Sequence, residues 1–158
     1  VSSRHFASLD FVAQIHAIYN KYQLPLGSLC LEITESGLIE NLDLATQIIE
    51  GLSPLKVKLC LDDFGTGYSA LGYLHQLPIH ILKIDKSFID HLHDSANPLV
   101  DAILSLAISL NLAVVAEGIE TAEQLAILQT TQCNYGQGYL KSKPVTAQEA
   151  ILLIDAPL

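Results

Sequence analysis

Five polar side chains interrupt or end otherwise apolar runs: Glu32 in LEIT, Asp62 in LCLDD, Lys83 in ILKID, Glu117 in AVVAE and Gln137 in CNYGQ. Asp63 adjoins Asp62, and Glu35 and Glu120 follow Glu32 and Glu117 by three residues. Adjacent carboxylates repel one another, and burial strips their hydration, unless a cation lies between them. Hard divalent ions such as Mg2+ and Mn2+ take oxygen ligands of this kind. Two such ions can clamp a phosphodiester and lower the pKa of a bridging water for in-line attack. Lys83 is the lone cation of the set, placed to orient that water or to offset charge on a phosphate. Gly65 and Gly67 follow the acidic pair, and glycine lets backbone take φ > 0 and approach a ligand closely. Taken alone, Asp62-Asp63 also suits an ordinary turn, and Lys83 could pair simply with Asp85 or Asp62. Agreement among the five runs decides for a site.

These residues need elements that bring them together. Residues 29–34, 57–62, 81–85 and 113–117 read as strands, and 133–137 as a fifth, shorter one. In each of the first four the polar residue is opposite in parity to its large apolar neighbours: Leu31 and Ile33 flank Glu32, Leu61 precedes Asp62, Leu82 and Ile84 flank Lys83, and Ala116 precedes Glu117. Helical spacing marks residues 8–22 through Val12, Ile15, Ile18, Tyr19 and Tyr22, and a second helix through Leu42, Ala45, Ile48, Ile49 and Leu52. A short helix is expected at residues 69–75. Asn97-Pro98 supplies a cap and a first-turn proline for a helix through Leu99, Ala102, Ile103, Leu106, Ala107 and Leu110. Thr121-x-x-Gln124 and Thr146-x-x-Glu149 are capping boxes that open two more.

Strands and helices alternate with no hairpin signal, the pattern of repeated βα units and a parallel sheet. In an open doubly wound sheet the strand ends lie along a line. In a barrel they form a ring, with the apolar parity toward the helices and the polar parity toward the mouth. Convergence of all the polar ends is harder along a line than around a ring. The expected fold is α/β, a TIM-like (β/α) barrel, here incomplete with about five to six βα units.

The 158 residues, 50% of them hydrophobic, can bury one substantial core, and no domain boundary shows within residues 1–158. A net charge of −9 excludes a general nucleic-acid surface, which would be basic, so no nucleic-acid polymer is an expected partner. No apolar run reaches the roughly 18 residues of a membrane span, and no secretory h-region opens the chain. Cys30, Cys60 and Cys133 are odd in number and set in apolar contexts. They read as buried free thiols of a reducing compartment, so a cytoplasmic location is expected. No CxxC or HxxxH spacing marks a zinc site. His91-x-His93 reads as solvated loop, and Tyr68 and Tyr139, beside glycines, as packing residues before base-stacking ones. The chain opens on Val1 and contains no Met, the mark of a piece of a longer protein.

LEITES at 31–36, DDFGTGYSAL at 62–71, KIDKSF at 83–88, AEGIET at 116–121 and GQGYL at 136–140 together resemble the EAL-domain family. Those proteins are bacterial cyclic di-GMP phosphodiesterases of modified TIM-barrel fold, and the motifs follow the family's order over essentially the whole chain. The resemblance implies hydrolysis of one phosphodiester of cyclic di-GMP to linear pGpG with Mg2+ or Mn2+. By it, Glu32, Asp62, Asp63 and Glu117 match metal-ligand positions, and Lys83 matches the lysine that contacts the catalytic water. Gln137 matches a further active-site residue, with Gly138, Tyr139 and Glu120 as substrate-binding or accessory positions. Glu35 matches a glutamate that holds the DDFGTGYS loop. The family also uses that loop for dimerisation, which implies a homodimer through residues 62–71 and the adjacent helix. Sensor or GGDEF domains, and a membrane anchor, have room elsewhere in a longer parent chain. The alternative is a catalytically inactive EAL-like module that binds cyclic di-GMP or a protein partner. Degenerate members usually lose acidic motif residues, and these motifs keep theirs.

The family pattern starts upstream of Val1, with the Glu-Ala-Leu signature and an Asn-Val-Ser strand whose Asn is also a ligand. Val1-Ser2-Ser3 matches only the tail of that strand. A complete barrel takes about 250 residues and eight strands, and open parallel edges invite pairing with other chains. Residues 1–158 alone are therefore expected to show no significant phosphodiesterase activity. They are expected to be stable only as an oligomer, or with the remaining strands supplied in trans. Light scattering and a cyclic di-GMP hydrolysis assay on this polypeptide check both halves; a stable, active monomer is the contrary result.

Overall fold

The computed structural model describes residues 8–39, 42–65, 71–74, 76–92 and 97–154. Val1-Ser2-Ser3, His5, Gly67, Tyr68, His75 and His93 lie outside the described residues, as does the middle of the 62–71 segment. The strands are Cys30–Thr34 (β1), Lys58–Phe64 (β2), Ile81–Ile84 (β3), Ala113–Ala116 (β4) and Tyr135–Gly136 (β5). Neighbours pair parallel, and the spatial order is β1-β2-β3-β4-β5. A doubly wound sheet reverses its strand order at a switch point; this one runs in sequence order throughout. Right-handed crossovers between successive parallel neighbours then place every connecting helix on one face. That is the wall of a TIM-like barrel, left incomplete because β1 and β5 each have a single strand neighbour among the described residues.

Parity decides what each face carries. Leu31, Ile33, Leu59, Leu61, Leu82, Ile84, Val114 and Ala116 are at most 6% exposed. They belong to one core with Ile15, Ile48, Leu52, Val100 and Ile103 from the helices. Each buried Leu or Ile contributes roughly 1.5–3 kcal/mol, so the helix-facing parity fixes strand register strongly. The opposite parity carries Cys30, Glu32, Cys60, Asp62 and Lys83. Cys30 is exposed on that open inner face, a correction to the expectation of three buried thiols; Cys60 is buried, and all three cysteines are free. Burial and the neighbouring Cys30 push the Cys60 thiol up to about 12.

The helices are Asp10–Tyr22 (α1), Glu35–Ile39 (α2), Leu42–Leu52 (α3), Leu71–Leu74 (α4), Lys86–Ile89 (α5), Pro98–Ser109 (α6), Ala122–Gln129 (α7) and Ala147–Ile154 (α8). Asn97 Oδ1 accepts from Leu99 N–H at 2.9 Å, with Pro98 opening α6. Thr121 and Gln124 form a complete capping box, and Thr146 and Glu149 exchange bonds in the same sense. The buried stripe of α6 differs from the expected one. Val100, Ile103, Leu104 and Ala107 are buried, whereas Leu99 and Ala102 are exposed. Asp101, Ser105 and Ser109, spaced i, i+4 and i+8, mark the outer face of this helix; the expected stripe, drawn from the apolar residues alone, is rotated away from the side opposite them. In α1, likewise, Phe11, Ile15 and Tyr19 face inward while Ile18 and Tyr22 are exposed. Sequence spacing did not announce α2 or α5. No described helix is long and apolar enough to cross a membrane.

Asp85, read as the end of a strand, caps α5. Its Oδ1 accepts from the Ser87 N–H at 2.9 Å and from the Ser87 hydroxyl at 2.5 Å. The hydroxyl bond holds the Asp85 carboxyl below its ordinary range. A depressed carboxyl stabilises the fold above the unfolded pKa of about 3.9 and ceases to do so as pH falls through the folded value. Asp85→Ala is expected to cost about 1 kcal/mol at pH 7. Urea midpoints of wild type and variant should differ at neutral pH and converge in acid; a difference independent of pH would contradict the cap.

Candidate active site

Lys83 leaves β3 on the polar parity and is 5% exposed. Its Nζ lies 2.6 Å from Glu117 Oε1, 3.0 Å from Asp62 Oδ1 and 3.2 Å from Glu32 Oε1. Glu32 comes from β1, Asp62 from β2, and Glu117 from the residue after β4. One such pair is worth about 5 kcal/mol at an effective dielectric constant of about 20. Removing an ammonium from water costs a comparable several kcal/mol. One partner would barely offset that cost, and three exceed it. Burial alone would lower the Lys83 pKa, but hydrogen bonds to Glu117, Asp62 and Glu32 outweigh it and hold the group above the ordinary lysine range. The three carboxylates favour the charged ammonium form of Lys83.

On a regular strand Asp62 and Asp63 would point to opposite faces. Here the register shifts from Leu61–Leu82 to Phe64–Ile84, so β2 carries one extra residue, a β-bulge. Asp63 absorbs it with φ of 55°, a left-handed conformation that Asp tolerates better than most residues. As a result carboxylate oxygens of Asp62, Asp63 and Glu117 lie within 4.8 Å of one another. Hard oxygen donors so close together suit a divalent cation. Burial, then the charges of Asp62 and Asp85, raise the Asp63 pKa. Burial raises that of Glu117 against the pull of Lys83. Glu35, at the start of α2, is 2% exposed, and its Oε2 accepts from Gly65 N–H at 3.3 Å. Gly65 has φ of 92°, and a Cβ there would come within 2.9 Å of the Phe88 ring.

Gln137 follows β5, and its Nε2 donates to Glu117 Oε1 at 2.5 Å. Gly138 presses on Ile119, where an added Cβ would fall 2.1 Å from the Ile119 carbonyl oxygen. Glu120 pairs with Lys86. Tyr139 is exposed rather than packed, with the Lys143 ammonium 5.7 Å from its ring centroid. A cleft of about 630 Å3 opens beside Glu117, lined by Lys86, Glu120, Gln137, Tyr139 and Lys143 among others. The structure thus brings Glu32, Asp62, Asp63, Lys83, Glu117 and Gln137 together, with Glu35, Glu120, Gly138 and Tyr139 around them. His91 lies apart, its Nδ1 beside the Ser87 carbonyl. Sequence reasoning missed Lys86, and it saw Gln124 only as the partner of Thr121 in a capping box. Gln124 is buried, takes the Glu120 N–H at 2.8 Å and donates to the Ile89 carbonyl at 3.3 Å.

The model of the EAL domain matches residues 1–144. The cyclic di-GMP phosphodiesterase NbdA of Pseudomonas aeruginosa is 47% identical over 117 residues, which cover 73% of this chain and 15% of that protein. The bifunctional diguanylate cyclase/cyclic di-GMP phosphodiesterase MucR of the same organism is 40% identical over 153 residues, 96% of this chain and 22% of that one. The chain therefore spans less than a quarter of either relative. The crystal structure of the EAL domain of Mycobacterium smegmatis DcpA superposes with a TM-score of 0.92 at 38% identity, over all of this chain and 72% of that one. A family match over most of the chain, motifs in order and a sheet that carries their acids to one point agree: the chain belongs to the EAL-domain family.

Proposed function

We propose that the domain containing this chain hydrolyses cyclic di-GMP to linear pGpG in the bacterial cytoplasm, using Mg2+ or Mn2+. The observation that carries this reading is the convergence of Asp62, Asp63 and Glu117 within 4.8 Å, beside a lysine paired to two of them. Glu32, Asp62, Asp63 and Glu117 would hold the ions. When bound, such ions supply Lewis-acid charge stabilisation and ease deprotonation of the attacking water. Lys83 orients that water and offsets charge gathering on the phosphate oxygens. A carboxylate of the set would take the proton of the water. The new bond from water oxygen to phosphorus forms as the bond to the ribose 3′ oxygen breaks, and the departing 3′ oxygen takes up a proton from that carboxylate or from solvent. Gln137 fixes the Glu117 carboxylate from the β5 side, and Glu35 holds the loop after Asp63. A homodimer through residues 62–71 and α4 belongs to the same reading, and sedimentation of the full-length protein checks it.

Asp62→Asn keeps the Oδ1 that accepts the Asp63 N–H at 3.2 Å and removes the charge. In the full-length protein it is expected to lower turnover by more than about 100-fold, beyond what loss of an outer-shell partner costs, while the protein still folds, with the lost counter-charge of Lys83 set against relief of the Asp62–Asp63 repulsion. Retained turnover at saturating Mn2+ would refute the ligand assignment.

Cyclic di-GMP is a dianion that the site's carboxylates repel unless cations intervene. Calorimetry on the full-length protein is therefore expected to show far weaker cyclic di-GMP binding after chelation. Ca2+ is expected to restore binding without turnover, because its looser coordination places the water poorly. Equal affinity with and without metal would refute this account.

A further inference from the structure

We infer that Lys86, three residues after the buried Lys83, is a positioning residue that fixes the Glu117 carboxylate by clamping residues 118–120. Its catalytic consequence rests on the metal-dependent reading above. The clamp has two parts. A Cβ at Gly118, whose φ is +71°, would stand 2.3 Å from Lys86 Cγ, 2.6 Å from its Cβ and 2.7 Å from its Cδ. The methylenes of Lys86 therefore fill the space a side chain at position 118 would need. The ammonium of the same residue pairs with Glu120 and, at 3.4 Å, with Asp90 one turn on in its own segment. Lys86 grips the segment at both ends, from a helix start that Asp85 holds in place.

The opposite side of the segment is closed as well. Ile119 N–H donates to the Gln137 carbonyl at 3.1 Å, and Leu140 N–H donates to the Ile119 carbonyl at 2.9 Å. Gly138 lies too close to Ile119 to admit a side chain. Glu117 itself is tied to β3 by its N–H to the Ile84 carbonyl at 3.1 Å. With Lys86 in place the segment is confined between α5 and the β5 end, and Glu117 cannot swing from Lys83. Lys86 and Glu120 are both nearly half exposed, and exposed ion pairs are worth only about 0–1 kcal/mol. The weight of the clamp therefore falls on the packed stem. Outer-shell partners of metal ligands typically matter 10–100-fold.

The test compares Lys86→Ala, Lys86→Met and Lys86→Arg in the full-length protein. It measures Mn2+ binding by electron paramagnetic resonance, kcat and KM for cyclic di-GMP, and amide hydrogen exchange at residues 117–120. Lys86→Ala is expected to weaken Mn2+ binding and lower kcat by about 10–100-fold. KM should stay within about twofold, and exchange at residues 117–120 should accelerate. Lys86→Met, which keeps an unbranched stem, should stay within about fivefold of wild type, and Lys86→Arg should match it. Unchanged Mn2+ binding, kcat and exchange in Lys86→Ala would overturn the inference. So would a raised KM with unchanged kcat, which would make Lys86 a substrate contact. Should Lys86→Ala not fold, Gly118→Ala forces the same seat apart and is judged by the same readouts. A wild type that neither binds Mn2+ nor hydrolyses cyclic di-GMP would refute the proposed function. The exchange comparison would still decide the clamp, faster exchange supporting it and unchanged exchange overturning it.

Discussion

A buried ammonium tolerates only an arrangement that surrounds it with negative charge, and Lys83 imposes that condition on this sheet. Its partners Glu32, Asp62 and Glu117 come from three different segments. They can meet only if β1, β2 and β4 lie in register about β3 with the polar parity on one face. The pairing Leu61–Leu82–Val114 puts the helix-facing residues in one row and the charged ones in the other. A slip of one residue would drive Lys83 into the apolar layer beneath the helices, where nothing would compensate its charge. Core packing and site electrostatics therefore select the same register.

Three departures from ideal geometry lie at the end of the sheet that carries the site. Asp63, Gly65 and Gly118 all have positive φ, and Asp63 is the residue that absorbs the bulge in β2. A regular strand would send Asp63 away from Asp62, so the strained residue is what makes a pair of neighbours into a pair of co-directed carboxylates. Strain of this kind costs of order 1–3 kcal/mol per residue and persists where the surroundings over-determine it. Here the Gly65 N–H bond to buried Glu35 provides part of that support.

The inner face of the wall behaves differently from the outer. Cys30 and the Glu32 side chain are open to solvent, while Leu31 and Ile33 between and beyond them are sealed beneath helices. Lys83 escapes exposure only because its carboxylate partners close over it. The site is thus carried by the sheet's C-terminal edge and by the turns that follow each strand, while the helices supply stability from the other side. That division of labour is the ordinary one for (β/α) barrels.

Strand position and parity were legible in the sequence because the side-chain period of a strand is local: alternate residues of LEIT, LCLDD, ILKID and AVVAE must face opposite ways whatever surrounds them. So were the caps at Asn97, Thr121 and Thr146, each closed by a bond within three residues. From parity alone the convergence of Glu32, Asp62, Lys83 and Glu117 could be anticipated. The inward stripe of α6 could not be read from its apolar residues alone: Asp101, Ser105 and Ser109 mark the outer side, but the apolar residues are too many for their own spacing to put Val100, Ile103, Leu104 and Ala107 inward and leave Leu99 and Ala102 out. Nor could the bulge at Asp62-Asp63, since it exists only relative to the register of β3. The seating of Lys86 on Gly118 was likewise invisible, because the two residues are far apart in sequence and meet through the β3–β4 pairing. The sequence by itself determined which residues could be charged and on which parity they lie. Tertiary structure decided which of them touch, because contact between strands depends on register and close packing that no local period encodes.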